Sequence, residues 1–170
     1  TGDTKFGDSI LHCYDGKAHG KVDMTSAFAK SCNGYFATVA EEIGNDQLIK
    51  TATDFGFNTD LNFPLEYKKA SFALKSNSDV KELAATAIGQ GKTLTSPLFM
   101  AMVTSAIANN GSIMQPYIVD HIETPSGGVR NRTLPTKLLQ ACDSSTAHKI
   151  ADMMCEVVRS GTATNASFSV

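Results

Sequence analysis

The chain has 170 residues, of which 42% are hydrophobic and 19% are charged, and its formal net charge is −2. This length and balance predict a globular chain with one hydrophobic core rather than a disordered one. The small net charge argues against a general affinity for nucleic acid or anionic membranes, and no apolar run reaches the length of a transmembrane helix.

The first 44 residues are predicted to form an irregular segment followed by two helices. Residues 1–20 are polar and glycine-rich, which favours irregular structure. Asp23 can cap a short helix. A second helix begins after Ser31-Cys32-Asn33, because its apolar positions follow the 3.6-residue period, and Gly44 ends it. Those positions are Phe36, Val39, Ala40 and Ile43.

Residues 45–88 are predicted to form two further helices with a long loop between them. Asn45 or Asp46 caps the first of these helices, which ends at Gly56. Residues 57–79 show no sustained period and predict a loop. Asp79–Ile88 has the pattern of a capped helix.

The second half of the chain is predicted to contain two long helices and one hairpin. Thr95-Ser96-Pro97 supplies a cap and a first-turn proline for a helix that ends at Asn109-Asn110-Gly111. Pro116–Thr124 and Val129–Leu134 are expected to pair as strands. Ser144 or Ser145 caps a last helix that ends near Gly161. The predicted fold class is therefore mainly α with one β-hairpin.

The four cysteines give no metal motif that can be recognised from spacing. Cys13, Cys32, Cys142 and Cys155 form no C-x-x-C pair, which argues against a zinc or redox site. His12, Cys13 and His19 lie close in sequence, but two further ligands with suitable spacing are missing, so no metal and no cofactor is predicted. A Cys13–Cys32 disulfide is compatible with the sequence if the chain is exported.

The segment Gly89-Gln90-Gly91-Lys92-Thr93 resembles a phosphate-binding loop only superficially. The P-loop pattern requires its first glycine at position 86, where this chain has Thr86. Good helix formers precede the loop, whereas a P-loop follows a buried strand. We therefore expect a glycine turn between two helices.

The Ser31-Cys32-Asn33 junction is the strongest candidate for chemistry. A Ser-x-Asn between two helices can present a hydroxyl and an amide outward, with the small apolar Cys32 pointing inward. Serine and asparagine are also common helix caps, so the motif alone does not separate a site from a capped junction.

Longer stretches identify the family. Three segments, in order, closely resemble the transpeptidase domain of class B, monofunctional penicillin-binding proteins. They are His19–Phe36 with its Ser-x-Asn, Ile88–Val119 with the glycine loop and the ANNG sequence, and Met153–Ala166 with the serine-glycine-threonine turn. The resemblance implies the helical central part of the α/β, serine β-lactamase-like fold, with residues 1–170 forming a single partial domain.

The resemblance also implies roles for the candidate residues. In this family a serine nucleophile forms an acyl-enzyme with a D-alanyl-D-alanine peptide and passes the acyl group to an amine. Ser31 would relay a proton toward the leaving nitrogen, and Asn33 would hydrogen-bond the substrate's acylamide group and orient the catalytic lysine. Gly89, Gln90 and Gly91 would lie near the mouth of the cleft.

Two family motifs are missing from the chain. The only S-x-x-K is Ser78–Lys81, which follows the Ser-x-Asn instead of preceding it and is expected to serve as a helix entry. No K-T-G occurs. We therefore expect a fragment that cannot form an acyl-enzyme by itself and that leaves apolar surface exposed, which favours self-association.

The parent protein is expected to cross-link peptidoglycan stem peptides and to be acylated by β-lactams. It would act at the extracytoplasmic face of the bacterial membrane, held there by an anchor outside this chain, alongside cell-wall synthesis partners. Two alternatives stay open: a β-lactam sensor or β-lactamase-like protein of the same fold, and a non-catalytic helical interaction module.

Overall fold

A computed structural model describes residues 2–167 of the chain, which contain five α-helices and three antiparallel strand pairs. The elements are β1 (Asp3–Phe6), β2 (Ser9–His12), α1 (Met24–Ala29), α2 (Asn33–Asp54), α3 (Val80–Ala87), α4 (Pro97–Ala108), β3 (Ser112–Met114), β4 (His121–Glu123), β5 (Val129–Arg132), β6 (Lys137–Gln140) and α5 (Ser144–Ser160). The strand pairs are β1–β2, β3–β6 and β4–β5. The mainly α fold class is confirmed, and β1–β2 and β3–β6 add to the one hairpin that was predicted.

Three helices begin at the caps that the sequence predicts. The Asp23 carboxylate accepts from the backbone N–H of Ser26 at 2.8 Å, and the Asp79 carboxylate accepts from that of Glu82 at 2.8 Å. At α4 the Ser96 hydroxyl accepts from a backbone N–H, with Pro97 in the first turn. Each cap satisfies an amide that the helix itself leaves without a partner.

Gly44 ends the first helical stretch of α2, as predicted, and a second stretch follows directly after it. Its backbone has φ +77° and ψ 170°, and helical geometry resumes immediately after it. The side-chain amide of Asn45 donates to the carbonyl oxygens of Ser76 and Ser78, at 3.1 and 2.8 Å. The break in α2 therefore holds the end of the long loop over 57–79, which has no helix or strand of its own.

The predicted cap of α5 was wrong by one residue. Asp143 is the N-cap, and its carboxylate accepts from the Thr146 N–H at 2.8 Å and from the Ser145 hydroxyl at 2.7 Å. These hydrogen bonds, led by that of Ser145, lower the pKa of Asp143 to about 2. A carboxylate is favoured over a hydroxyl here because its negative charge also interacts with the helix dipole.

The irregular segment predicted over residues 1–20 was also wrong, because β1 and β2 form a hairpin there. Asp3 pairs with His12 and Phe6 with Ser9. Phe6 is only 3% exposed and packs with Ala37 of α2 and Ala84 of α3. The strands are short and mostly polar, so their sequence lacks the alternation that indicates a strand.

The second half of the chain contains one more strand pair than predicted, but the two strands of the predicted hairpin are shorter than expected. β4 and β5 form the expected hairpin, but only His121–Glu123 of the segment 116–124 is extended in a ladder. β3 and β6 form a second antiparallel pair, although β4 and β5 lie between them in the sequence, and Ile113 stands opposite Leu139. This pair packs against α4 in a cluster of buried residues made of Leu61, Met102, Ala106, Ile113 and Ala141.

The chain exposes much apolar surface. Its accessible area is 11142 Å², whereas a compact monomer of this mass has about 8,100 Å². The apolar face predicted for α5 is only half-buried, from Ile150 to Val158, and Leu134 is 73% exposed. These values agree with the expected apolar surface; self-association stays a prediction.

Candidate functional site

The Ser31-Cys32-Asn33 junction is built by the end of α1. Lys30 closes the helix, the Ser31 N–H donates to the Phe28 carbonyl at 3.1 Å, and the Cys32 N–H donates to the Ala27 carbonyl at 2.9 Å. This pair of bonds is the Schellman motif, which terminates a helix and reverses the chain. The junction is therefore fixed by backbone hydrogen bonds before its side chains are considered.

Ser31 occupies the left-handed position of that motif. Its φ is +52°, where glycine is the usual residue. A side chain there costs about 1 kcal/mol, and such strain concentrates at functional sites. Ser31 is exposed, and its hydroxyl makes no hydrogen bond within residues 2–167. The backbone therefore holds the Ser31 side chain toward solvent, where its hydroxyl is free to hydrogen-bond a bound molecule.

Cys32 points inward, as the sequence predicts. It is 7% exposed and packs in a cluster with Cys13 and Ala27. Burial raises the pKa of the Cys32 thiol, which keeps it protonated at neutral pH. The alternation of an outward serine and an inward cysteine follows from the sharp turn between α1 and α2.

Asn33 is the first residue of α2, and its amide Nδ2 donates to the His12 carbonyl at 3.0 Å. The bond connects the end of the β1–β2 hairpin to the Ser-x-Asn motif. This connection was not predicted, because residues 1–20 are polar and glycine-rich and were expected to be irregular. The local Ser-x-Asn pattern contains no signal for it.

Ser31 and Asn33 line one cavity of about 420 Å³. Ile88, from the end of α3, and Val157 and Thr162, from the end of α5, line the same cavity. The three segments that carry the family resemblance therefore meet at one place. The cavity offers a hydroxyl and an amide on one side and apolar groups on the others, which suits an acylated peptide.

The end of α5 approaches that of α1 because residue 161 is glycine. The Thr162 N–H donates to the Ala29 carbonyl at 3.1 Å. A Cβ added at Gly161 would stand 2.2 Å from the same carbonyl oxygen. Only glycine allows this contact, which brings Thr162 to the cavity.

The glycine loop is a helix terminator at the edge of the cavity. The Gly89 N–H donates to the Thr86 carbonyl at 3.0 Å and the Gln90 N–H to the Ala85 carbonyl at 2.9 Å, a second Schellman motif. Gly89 and Gly91 have φ values of +76° and +86°, as the predicted turn requires. The three loop residues are exposed and follow directly on Ile88 of the cavity wall.

Ser78 lies at the other end of α3 from the cavity. Its hydroxyl accepts from the Lys75 N–H at 3.0 Å, one residue before the Asp79 cap. The eight residues of α3 separate it from Ile88 by about 12 Å. Ser78 thus serves the helix entry, as predicted for the misplaced S-x-x-K.

A second group of reactive side chains lies beneath the junction. Cys13 and Cys32 are both free and buried, with 3.8 Å between their sulfurs, so the structure contains two thiols there and not the disulfide considered above. A ring nitrogen of His19 is within 4.8 Å of both. The spacing argument against a metal site missed this group, because it did not bring Cys32 next to His19.

The chain matches the penicillin-binding protein transpeptidase domain family over residues 2–170. It is 31% identical over 134 residues to the peptidoglycan D,D-transpeptidase PbpA of Mycolicibacterium smegmatis, covering 78% of this chain and 27% of that protein. It is 29% identical over 159 residues to stage V sporulation protein D of Bacillus subtilis, covering 92% of this chain and 24% of that protein. The chain thus spans about a quarter of the length of these relatives.

Solved structures of a D,D-transpeptidase domain and of a penicillin-binding protein are also similar to this chain. The D,D-transpeptidase domain of a peptidoglycan glycosyltransferase from Eggerthella lenta superposes with a TM-score of 0.90 at 32% identity, covering 98% of this chain and 44% of that one. The imipenem acyl-enzyme of penicillin-binding protein A from Mycobacterium tuberculosis superposes with a TM-score of 0.85 at 27% identity, covering 93% and 37%. In the part that the structure describes, no helix combines the length and apolar character needed to cross a membrane.

Proposed function

The chain belongs to the transpeptidase family of penicillin-binding proteins, and from this we propose that it is the central part of a peptidoglycan D,D-transpeptidase, with Ser31 and Asn33 in its active-site cleft. The observation that carries the proposal is their common cavity, in which Ser31 holds a strained conformation with a free hydroxyl. The left-handed backbone is required by the end of α1, but glycine would adopt it without strain, and strain at an exposed polar residue is typical of a functional position.

The reaction is acyl transfer between peptides. A serine outside this pair attacks the carbonyl carbon of the D-alanyl-D-alanine bond, the C–N bond breaks, and the leaving nitrogen takes a proton. Ser31 would relay to that nitrogen the proton that the attacking serine gives up, receiving one proton at its hydroxyl as it donates another. An amine of a second stem peptide then attacks the ester, and the serine oxygen leaves and recovers a proton. β-Lactams would acylate the same serine.

Asn33 would hold the substrate rather than move a proton. One of its amide hydrogens is used by the His12 carbonyl. The second amide hydrogen and the side-chain oxygen remain for the acylamide group of the peptide and for a lysine next to the nucleophile. The bond to His12 fixes the orientation of the amide before substrate binds, which reduces the entropy lost on binding.

The nucleophile and the K-T-G motif would come from outside residues 1–170. The chain by itself would then not be acylated, and the parent protein would act at the extracytoplasmic face of the membrane on stem peptides, together with other cell-wall synthesis proteins. Its exposed apolar surface would contact the rest of the domain in that protein, and the isolated chain would self-associate through it.

Covalent labelling of the full-length protein with a fluorescent penicillin tests the proposal. We expect one labelled serine outside residues 1–170, and at least about a hundredfold slower acylation in Ser31→Ala, the range that loss of general acid–base catalysis gives. Ser78→Ala is the matched control and should label at the normal rate.

The same experiment separates the alternative functions. Labelling without turnover of a D-alanyl-D-alanine peptide would indicate a β-lactam sensor. Absence of labelling would indicate a helical interaction module without the chemistry. Normal labelling of Ser31→Ala, or labelling at Ser78, would refute the assigned cleft.

A further inference from the structure

Three potential metal ligands from separate parts of the chain converge beneath the Ser31–Asn33 junction. Cys13 follows β2, His19 lies in the loop before α1, and Cys32 is the N-cap of α2. Their ligand atoms all lie within 4.8 Å of one another. Two sulfurs and an imidazole nitrogen form a donor set that zinc prefers.

The distance between the sulfurs distinguishes a metal site from a disulfide. The Cys13 and Cys32 Sγ atoms are 3.8 Å apart. Zinc–sulfur bonds of about 2.3 Å at tetrahedral angles place two sulfur ligands about 3.8 Å apart. A disulfide requires about 2.05 Å. The observed separation therefore fits two ligands on one tetrahedral ion, and it is also that of the hydrogen bond that the two thiols make without an ion.

The His19 ring provides the independent observation. Its Nδ1 is buried and has no hydrogen-bond partner within residues 2–167. A buried polar atom without a partner is rare in native proteins and calls for an unseen ligand. A disulfide between the two cysteines would leave Nδ1 unsatisfied, whereas coordination of a metal through Nδ1 would satisfy it.

The backbone holds two of these positions independently of any metal. The Cys13 N–H donates to the Gly2 carbonyl at 2.8 Å, and the Cys32 N–H is fixed by the Schellman bond to Ala27. The Asn33–His12 bond joins the residues next to both cysteines. The sulfurs are thus brought together by the same hydrogen bonds that build the Ser31–Asn33 junction.

We propose that Cys13, His19 and Cys32 bind one zinc ion. Both thiols lose their protons to solvent as the ion binds, and the two thiolates with a neutral imidazole balance its charge of +2. Because the net charge of the ion and its ligands is zero, the ion can be buried without the cost of burying an unpaired charge. All three residues line a cavity of about 330 Å³ that Tyr35 and Glu42 also line, which leaves space for water or a further ligand to complete the coordination.

The zinc proposal does not depend on the proposed function, but one of its ligands is a direct sequence neighbour of the two residues that carry that function. Cys32 lies between Ser31 and Asn33, so an ion bound to its sulfur fixes the turn that carries both. The ion would take no part in acyl transfer and would act by holding the junction in place. Zinc binding and penicillin acylation are measured separately, so failure of one assignment is distinguishable from failure of the other.

The test uses the full-length protein, reduced, freed of metal with a chelator and kept under anaerobic conditions. Zn²⁺ is titrated in competition with a chromophoric chelator, and Co²⁺ is used as a spectroscopic probe. We expect one Zn²⁺ per chain, and for Co²⁺ a thiolate-to-metal charge-transfer band with the intense visible bands of tetrahedral geometry. His19→Gln, Cys13→Ser and Cys32→Ser should each lower the zinc affinity at least about a hundredfold, since even residues that only orient ligands matter up to that level.

Cys155→Ser is the matched control, because Cys155 is an exposed free thiol on α5. It should bind zinc as the unmodified protein does. Circular dichroism melting of each variant tests whether it folds. If the buried cysteine variants do not fold, His19→Gln decides, because His19 is only half-buried.

Three results would overturn the proposal. The first is no retained Zn²⁺ in the reduced protein. The second is an affinity that His19→Gln leaves unchanged in a folded variant. The third is a Cys13–Cys32 disulfide in protein isolated without reductant, combined with Co²⁺ spectra that lack the thiolate band after reduction.

Discussion

The side-chain amide of Asn33 donates to the backbone carbonyl of His12, with 3.0 Å between nitrogen and oxygen. The bond joins residues 21 positions apart and connects the N-terminal hairpin to the Ser-x-Asn motif. Because the donor belongs to a proposed substrate-binding residue, the hairpin takes part in orienting the site. The proposed zinc ligands Cys13 and Cys32 are the next neighbours of these two residues, so one small region carries both inferences.

Asn33→Asp tests this connection. The change keeps the shape of the side chain but replaces the donor with an acceptor that faces the His12 carbonyl. We expect the full-length protein to lose about 0.5–1.5 kcal/mol of unfolding free energy, the net contribution of one hydrogen bond, and to acylate more slowly. Urea denaturation and penicillin labelling measure the two effects. Asn131→Asp, on exposed β5, controls for the added charge, and an equal loss in that variant would contradict the prediction.

Ser31→Gly tests whether the strained backbone of Ser31 serves activity. Glycine adopts φ +52° without steric cost, so the glycine variant should be more stable than Ser31→Ala by about 1 kcal/mol. Both variants lack the hydroxyl and should acylate slowly. Denaturant midpoints and labelling rates of the two variants are compared. If the alanine variant is as stable as the glycine variant, the left-handed position carries no strain.

Gly111→Ala should be far more destabilising than Gly127→Ala. Both glycines have positive φ, +80° and +83°. A Cβ at Gly111 would meet the Cys142 carbonyl oxygen at 2.1 Å, whereas at Gly127 no atom lies within 4 Å. We expect about 1 kcal/mol for Gly127→Ala from backbone strain alone, and at least about 3 kcal/mol for Gly111→Ala. Thermal unfolding of both variants gives the comparison, and similar losses would refute the steric account.

His121 should make the stability of the β4–β5 hairpin depend on pH. Its ring bonds the carboxylates of Glu123 at 2.8 Å and Asp120 at 2.7 Å, and these bonds, led by that of Glu123, raise the pKa of His121 above 6.5. The folded state therefore binds the proton more tightly than the unfolded state does. The stabilisation is complete below the unfolded pKa of about 6.5 and is lost as the pH rises through the raised folded value.

NMR titration of the His121 ring measures that pKa directly, and melting temperatures across the same pH range measure the linked stability. His121→Gln should remove the part of the pH dependence that arises at this residue. His148 lies elsewhere, on α5, and His148→Gln is the matched control variant. A His121 pKa at or below 6.5 would contradict the prediction.

Features that depend on neighbours a few residues apart could be predicted from the amino-acid sequence alone. The caps at Asp23, Asp79 and Ser96 and the terminating Gly89 are local, because a helix end is satisfied by residues three to five positions away. The family was also readable from the sequence, since its resemblance lies in continuous segments such as Ile88–Val119. Even so, the α5 cap is Asp143 and neither Ser144 nor Ser145, because the Asp143 carboxylate takes the backbone N–H that a serine hydroxyl was expected to take.

Contacts between residues that are distant in the sequence could be identified only from the folded chain. The β1–β2 hairpin is short and polar, and the burial of Phe6 against Ala37 and Ala84 gives it a place that no local period indicates. β3 and β6 pair across the whole β4–β5 hairpin. The common cavity of Ser31 and Val157, and the meeting of Cys13 with Cys32, depend likewise on long-range packing. Such contacts form because helices and strands bury their apolar faces together, a condition on the whole chain that spacing along the sequence does not express.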